Sequence, residues 1–129
     1  MTQSEKKRHN EQILKFSLPQ ITLDVLRELP KDPASRKELP ITTGVLDYFP
    51  LAIAEVARIS KAGNDQHNPG QPLHWSRSKS ADHADCITRH LIQRGTVDTD
   101  GMTHSGKLAW RALALLQEEL EAAAGFKPK

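Results

Sequence analysis

The sequence predicts an all-α fold, a compact bundle of three to four helices. Apolar residues recur at three- and four-residue spacings through most of its second half. No segment shows the convincing apolar–polar alternation of a half-buried strand, although Ile41 to Val45 is ambiguous. Starts and stops stand where the helical runs need them: Pro50 opens one, and Gly63 and Gly95 close two.

Residues 1–40 read as an N-terminal arm. Met1 to about Lys15 is polar, charged and flexible. A short helix is expected from Leu18 to Leu29, carried by Leu18, Ile21, Val25, Leu26 and Leu29, with Pro19 in its first turn and Pro30 at its end. Pro30 to Thr43, holding Pro30, Pro33 and Pro40 among charges, reads as a linker.

Residues 41–125 form the helical domain. Its first strong helix is expected from Pro50 to Ala62, with Leu51, Ala54, Val56, Ala57 and Ile59 as its apolar side and Gly63 as its stop. A long polar loop, Gly63 to Arg77, contains His67, His74 and Trp75. The next helix runs from Ser80 to Arg94, capped by Ser78 or Ser80, with Ala84, Ile87, Leu91 and Ile92 facing the core. An acidic loop, Thr96 to Gly101, leads into a last helix from about Thr103 to Ala123. Leu108, Ala109, Ala112, Leu113, Leu116 and Leu120 make its apolar stripe, and Glu118, Glu119 and Glu121 its wet side.

The bulk properties narrow the function. A chain of 129 residues supports one domain with a modest core. With 37% hydrophobic and 5% aromatic residues that core is thin, and burying helix faces between subunits would compensate, so a homo-oligomer is expected. Eighteen basic against 16 acidic residues leave a charge of +2, without the strong field of a dedicated nucleic-acid binder. The single cysteine, Cys86, excludes an internal disulfide and a thiolate zinc cage, and agrees with a reducing cytoplasm. No apolar run approaches the ~18 residues of a membrane span, and no apolar signal segment opens the chain. A cytoplasmic protein with no membrane partner is expected. Gly-rich phosphate loops, dinucleotide fingerprints and serine-nucleophile elbows are absent.

Four groups of residues could carry chemistry. Asp82, Asp85 and Arg89 share one helix face at i, i+3, i+7. The two carboxylates would repel unless a hard cation such as Mg²⁺ or Mn²⁺ bridged them; alternatively, Asp85 pairs with Arg89 on a solvated face. Glu55 stands in the run Leu51-Ala-Ile-Ala-Glu-Val-Ala57, where it needs a partner, either Arg58 or a metal. His90, Asp98, Asp100 and His104 would be drawn together if the acidic loop folds the last helix back on the one before it. A neutral imidazole there could bind a metal or a phosphate oxygen, or the acids could be turn residues and His104 a packed one. Lys107 and Arg111, four apart beside Trp110, could both reach a phosphate chain or form a surface pair. Trp75 could stack on a base or anchor its loop.

The order of these features resembles the N-terminal-type domain of phage dATP/dGTP diphosphohydrolases, a MazG-like group. The matching pieces are Pro50-Leu-Ala-Ile-Ala-Glu-Val-Ala-Arg58, His74-Trp-Ser-Arg77, Arg89-His-Leu91, Gly95 with Asp98 and Asp100-Gly101, and His104 followed by Ala109-Trp-Arg-Ala-Leu-Ala-Leu-Leu116. The resemblance covers a little over half of the chain. It implies an all-α, MazG-like oligomer that uses Mg²⁺ or Mn²⁺ to hydrolyse a purine deoxynucleoside triphosphate to monophosphate and pyrophosphate, in the host cytoplasm if the chain is phage-encoded. On that analogy Glu55, Asp82 and Asp85 hold the metal. Glu55, Asp85 and His90 are the catalytic candidates. Trp75, Arg89, His104, Lys107 and Arg111 bind the substrate. The chain departs from the group's pattern at Arg58, where an acid would follow Glu55 by three. A non-catalytic nucleotide-binding module is the first alternative and a helical partner-binding protein the second.

Overall fold

The structure, a computed structural model, describes residues 2–3, 31–77 and 80–125. The helix expected from Leu18 to Leu29 lies outside them. The described residues form four α-helices and one π-helical turn, with no strand. The fold is all-α, as the periodicity predicts. The chain divides into two units, one of Met1–Phe49 with Gln117–Lys129 and one of Pro50–Leu116.

In the first unit, α1 spans Pro33–Lys37, inside the segment expected to be a linker. Asp32 caps it, its Oδ2 accepting the Ser35 amide at 2.9 Å, and Pro33 sits in the first turn, where a missing N–H costs nothing. The π-helical turn Thr42–Leu46 follows and closes with the Asp47 amide donating to the Thr42 carbonyl at 2.8 Å. It takes up the segment whose strand character was ambiguous.

In the second unit, α2 runs Pro50–His67, five residues beyond the expected end at Ala62. Gly63 does not stop it because its φ is not positive, unlike Gly70, Gly95 and Gly101. The next residue, Asn64, is buried and stitches down the following loop. Its Nδ2 donates to the Gln71 carbonyl at 3.1 Å, and its Oδ1 accepts the His74 amide at 3.2 Å.

Helix α3 spans His83–Ile92. It is shorter than the expected Ser80–Arg94 and opens after Asp82 without a side-chain cap. Its burial reverses the expected face. Ala84, Leu91 and Ile92 are exposed, Ile92 by 74%, whereas His83, Cys86 and His90 are buried. These three share one face at i, i+3, i+7. Buried imidazoles are tolerated because each finds a polar partner, His90 in His104 and His83 in Arg111.

Gly95, expected to stop a helix reaching Arg94, lies instead at the end of the turn that follows α3, with φ 81°. An isolated antiparallel bridge joins Val97 to Thr103, and α4 then runs His104–Ala124. Along it, His104 and Ala114 are buried and Lys107 and Arg111 are partly covered, so this row turns inward. Leu113 and Leu116, expected in the core, are half exposed, and Glu121, expected on the wet side, is buried. Cys86 and Ala114 are the buried hydrophobic side chains among the described residues. No single helix among the described residues is long and apolar enough to cross a membrane.

The Asn64 contacts generate a stability prediction. Asn64→Ala leaves the Gln71 carbonyl and the His74 amide without their partner and should destabilise the fold by about 1–3 kcal/mol. Urea unfolding checks the loss, and faster amide exchange at His74 locates it.

Candidate metal centre

The second unit brings together residues from three successive pieces of chain. His90 comes from the last turn of α3, Asp98 from the acidic turn, and His104 from the first residue of α4. The turn is built locally. The Gly101 amide donates to the Asp98 carbonyl at 3.0 Å, with Asp98 first and Gly101 fourth, the positions those residues favour. Gly101 has φ 82°, a left-handed conformation open to glycine at no steric cost. The Asp98 amide donates to the Met102 carbonyl at 2.8 Å, and the His104 amide to the Thr96 carbonyl at 3.1 Å. These bonds pull the start of α4 back beside the end of α3.

His90 Nδ1 and His104 Nδ1 consequently lie 2.9 Å apart, with both rings buried. One nitrogen donates and the other accepts. Burial, followed by the charges of Arg89, His104 and Lys107, lowers the His90 pKa and favours its neutral, ligand-competent form. One ligand atom from each of His90, Asp98 and His104 lies within 4.8 Å of the others, a grouping that can hold a metal ion. In a tetrahedral site, two imidazole nitrogens at about 2.0–2.1 Å from an ion stand roughly 3.3 Å apart, so the observed pair need open by only a few tenths of an ångström. Two imidazoles and one carboxylate leave further coordination positions for water or a ligand oxygen.

Lys107, one turn into α4, borders the centre. Its Nζ bonds Asp98 Oδ2 and Asp100 Oδ2, each at 2.7 Å. The Asp98 carboxylate also accepts the Thr99 amide at 2.7 Å. Lys107 first, then the Thr99 amide, holds the Asp98 carboxyl at about 2 instead of 3.8. Burial opposes charge on Lys107, but the Asp100 and Asp98 carboxylates outweigh it and its pKa is raised.

The other expected site residues sit elsewhere in the chain. Glu55 is bonded by Arg58 Nε at 2.7 Å and by Thr103 Oγ1 at 2.8 Å. Arg58 first, then Thr103, holds its carboxyl at about 2 instead of 4.5. Asp82 accepts from Ser80 Oγ at 2.7 Å and lies 3.8 Å from the Arg111 guanidinium. Asp85 is exposed. Within the described residues of this chain, Glu55, Asp82 and Asp85 are not gathered into a metal-sized group; His90, Asp98 and His104 are. Arg89 is exposed, with Nη2 3.6 Å from Cys86 Sγ. Arg111 bonds Ser80 Oγ at 2.6 Å and His83 Nδ1 at 3.3 Å, away from the acids that occupy Lys107. Trp75 packs edge-on to Trp110 at 5.8 Å, with the Arg77 guanidinium 4.1 Å above its ring.

Asp98 is the member of the group that residue spacing places among turn residues as readily as among ligands. Its signal is positional: it lies between two histidines in a loop short enough to unite them. Comparison with family models, curated proteins and solved structures finds no match for this chain.

The two most strongly depressed carboxyls, Asp98 and Glu55, predict the acid limit of stability. A carboxyl that ionises more readily in the folded chain contributes stability above its unfolded pKa and loses it as the pH falls towards the folded value. For Asp98 and Glu55 that window runs from the ordinary values of 3.8 and 4.5 down to about 2. Thermal midpoints measured from about pH 8 to about pH 2 should begin to fall below about pH 6.5, where His90 takes up a proton more readily in the unfolded chain, and should fall further below about pH 4.5 as Asp98 and Glu55 contribute. Lys107→Met should weaken the Asp98 part of that fall. A midpoint that does not change with pH would contradict both assignments.

Proposed function

We propose that this chain is a divalent-metal-dependent diphosphohydrolase of MazG-like type. It acts on a purine deoxynucleoside triphosphate such as dATP or dGTP and releases monophosphate and pyrophosphate. The observation that carries this reading is the group of His90, Asp98 and His104 beside the Lys107 ammonium. Two nitrogen donors suit Mn²⁺ or another first-row ion better than Mg²⁺, which prefers oxygen ligands. When bound, such an ion polarises a phosphoryl oxygen and lowers the pKa of a coordinated water. His90 and His104 would hold the ion through unprotonated ring nitrogens, the proton shared between them being released on binding, and Asp98 would supply the negative charge. Lys107 would neutralise a phosphate beside the ion by exchanging its Asp100 partner for a phosphate oxygen, and the exposed Arg89 is a further cation of the same unit. The exposed apolar side chains Leu91, Ile92, Val97, Leu113 and Leu116 support a homo-oligomer in which neighbouring subunits cover them.

The test is pyrophosphate release from dGTP and dATP in Mn²⁺. Asp98→Ala and His104→Ala should abolish turnover. Lys107→Ala should lower kcat/KM on the order of 10²–10³-fold, as loss of a charge-stabilising donor does. Undiminished turnover in Asp98→Ala would overturn the assignment of the centre. Nucleotide binding with no pyrophosphate in Mn²⁺, Co²⁺ or Mg²⁺ would replace hydrolysis with simple binding.

A further inference from the structure

The geometry points to Glu55 as a positioning residue that supplies from α2 the capping carboxylate missing from the first turn of α4, and so fixes the segments carrying Asp98 and His104. This role rests on the reading that Asp98 and His104 belong to the metal centre.

The first amides of a helix have no partner within it. In a capping box, the N-cap threonine accepts the amide three residues on, and a glutamate at that third position accepts the N-cap amide. Half of the box is present in α4: Thr103 Oγ1 accepts the Gly106 amide at 3.1 Å. The other half is absent from the helix because its third position is Gly106, which has no side chain. Glu55 takes that place from another helix. Its Oε2 accepts the Thr103 hydroxyl at 2.8 Å and approaches the Thr103 amide at 3.4 Å.

The same packing leaves no open space for a side chain at this glycine unless its neighbours shift. A Cβ at Gly106 would stand 2.5 Å from Ile59 Cδ1, 2.5 Å from Thr103 Oγ1 and 3.0 Å from Glu55 Cγ. The space that a capping side chain of α4 would use is therefore filled by two side chains of α2. Arg58 completes the device. It grips both Glu55 oxygens, through Nε at 2.7 Å and Nη2 at 3.0 Å. The same Nη2 reaches the Gly101 carbonyl at 3.4 Å, on the turn that carries Asp98. One carboxylate thus ties down the residue preceding His104 and, through Arg58, the turn presenting Asp98. Glu55 lies outside the group of atoms able to share an ion.

The test combines amide exchange, which needs no metal, with Co²⁺ affinity followed by absorption. In Glu55→Ala, exchange at Thr103 and Gly106 should accelerate and Co²⁺ affinity should fall about 10–100-fold, the usual effect of losing a residue that orients ligands. Glu55→Gln keeps an acceptor for Thr103 and should recover most of both. Thr103→Val should reproduce Glu55→Ala, and Thr103→Ser should behave as wild type. Should Glu55→Ala not fold, Glu55→Gln and Thr103→Val give the same comparison. Unchanged exchange at Thr103 and Gly106 in Glu55→Ala would overturn the capping role. Loss of Co²⁺ in Glu55→Gln with normal exchange would make Glu55 a ligand instead, which also overturns it. Absence of Co²⁺ uptake by the wild type would defeat the metal centre, whereas the exchange rates would still decide the cap.

Discussion

Between Ile92 and His104 the chain doubles back without a sheet to guide it. Two left-handed glycines, Gly95 and Gly101, permit the change of direction, and the bridge of Val97 to Thr103 fixes its register. The bond from the His104 amide to the Thr96 carbonyl then sets the first residue of α4 against the last turn of α3. The 2.9 Å approach of His90 to His104, the position of Asp98 between them and the reach of Lys107 all depend on this return. A single misplaced turn residue would separate three groups that are fourteen positions apart in sequence at most.

The return also explains why the second unit is built with imidazoles inside and leucines outside. An imidazole leaves water at a cost unless it finds a partner. The turn provides one for each member of the His90–His104 pair. Burying the polar row of α3 turns Leu91 and Ile92 outward, and the inward row His104, Lys107, Arg111 and Ala114 of α4 leaves Leu113 and Leu116 half exposed. Apolar area left in water forgoes about 25 cal/mol per Å². This arrangement favours the polar centre over the largest available apolar core.

Much of this was legible in the residues. Pro50 marks a real boundary, and the period of the last helix locates α4 within a residue at each end. The sequence also names His90, Asp98, Asp100 and His104 as residues a folded-back loop would draw together, but it places the metal on Glu55, Asp82 and Asp85, which the described residues do not gather. Other features were hidden for identifiable reasons. Gly63 has the composition of a stop, but the buried Asn64 beyond it is worth more as a continuation of α2 because its amide satisfies the loop. The inward face of α3 cannot be found from hydrophobicity, since His83 and His90 score as polar whether or not they have partners. The role of Glu55 depends on Thr103, 48 positions away, and no local pattern connects them. Gly106 reads as a weak point in a helix until the side chains of α2 are seen to occupy its missing Cβ.

The central claim is that His90, Asp98 and His104 share one ion. X-ray absorption of the Co²⁺-loaded protein tests it most directly. The expected spectrum contains imidazole scattering from two nitrogen donors at about 2.0–2.1 Å, with half of that signal lost in His104→Ala. An all-oxygen shell that His90→Ala and His104→Ala leave unaltered would contradict it.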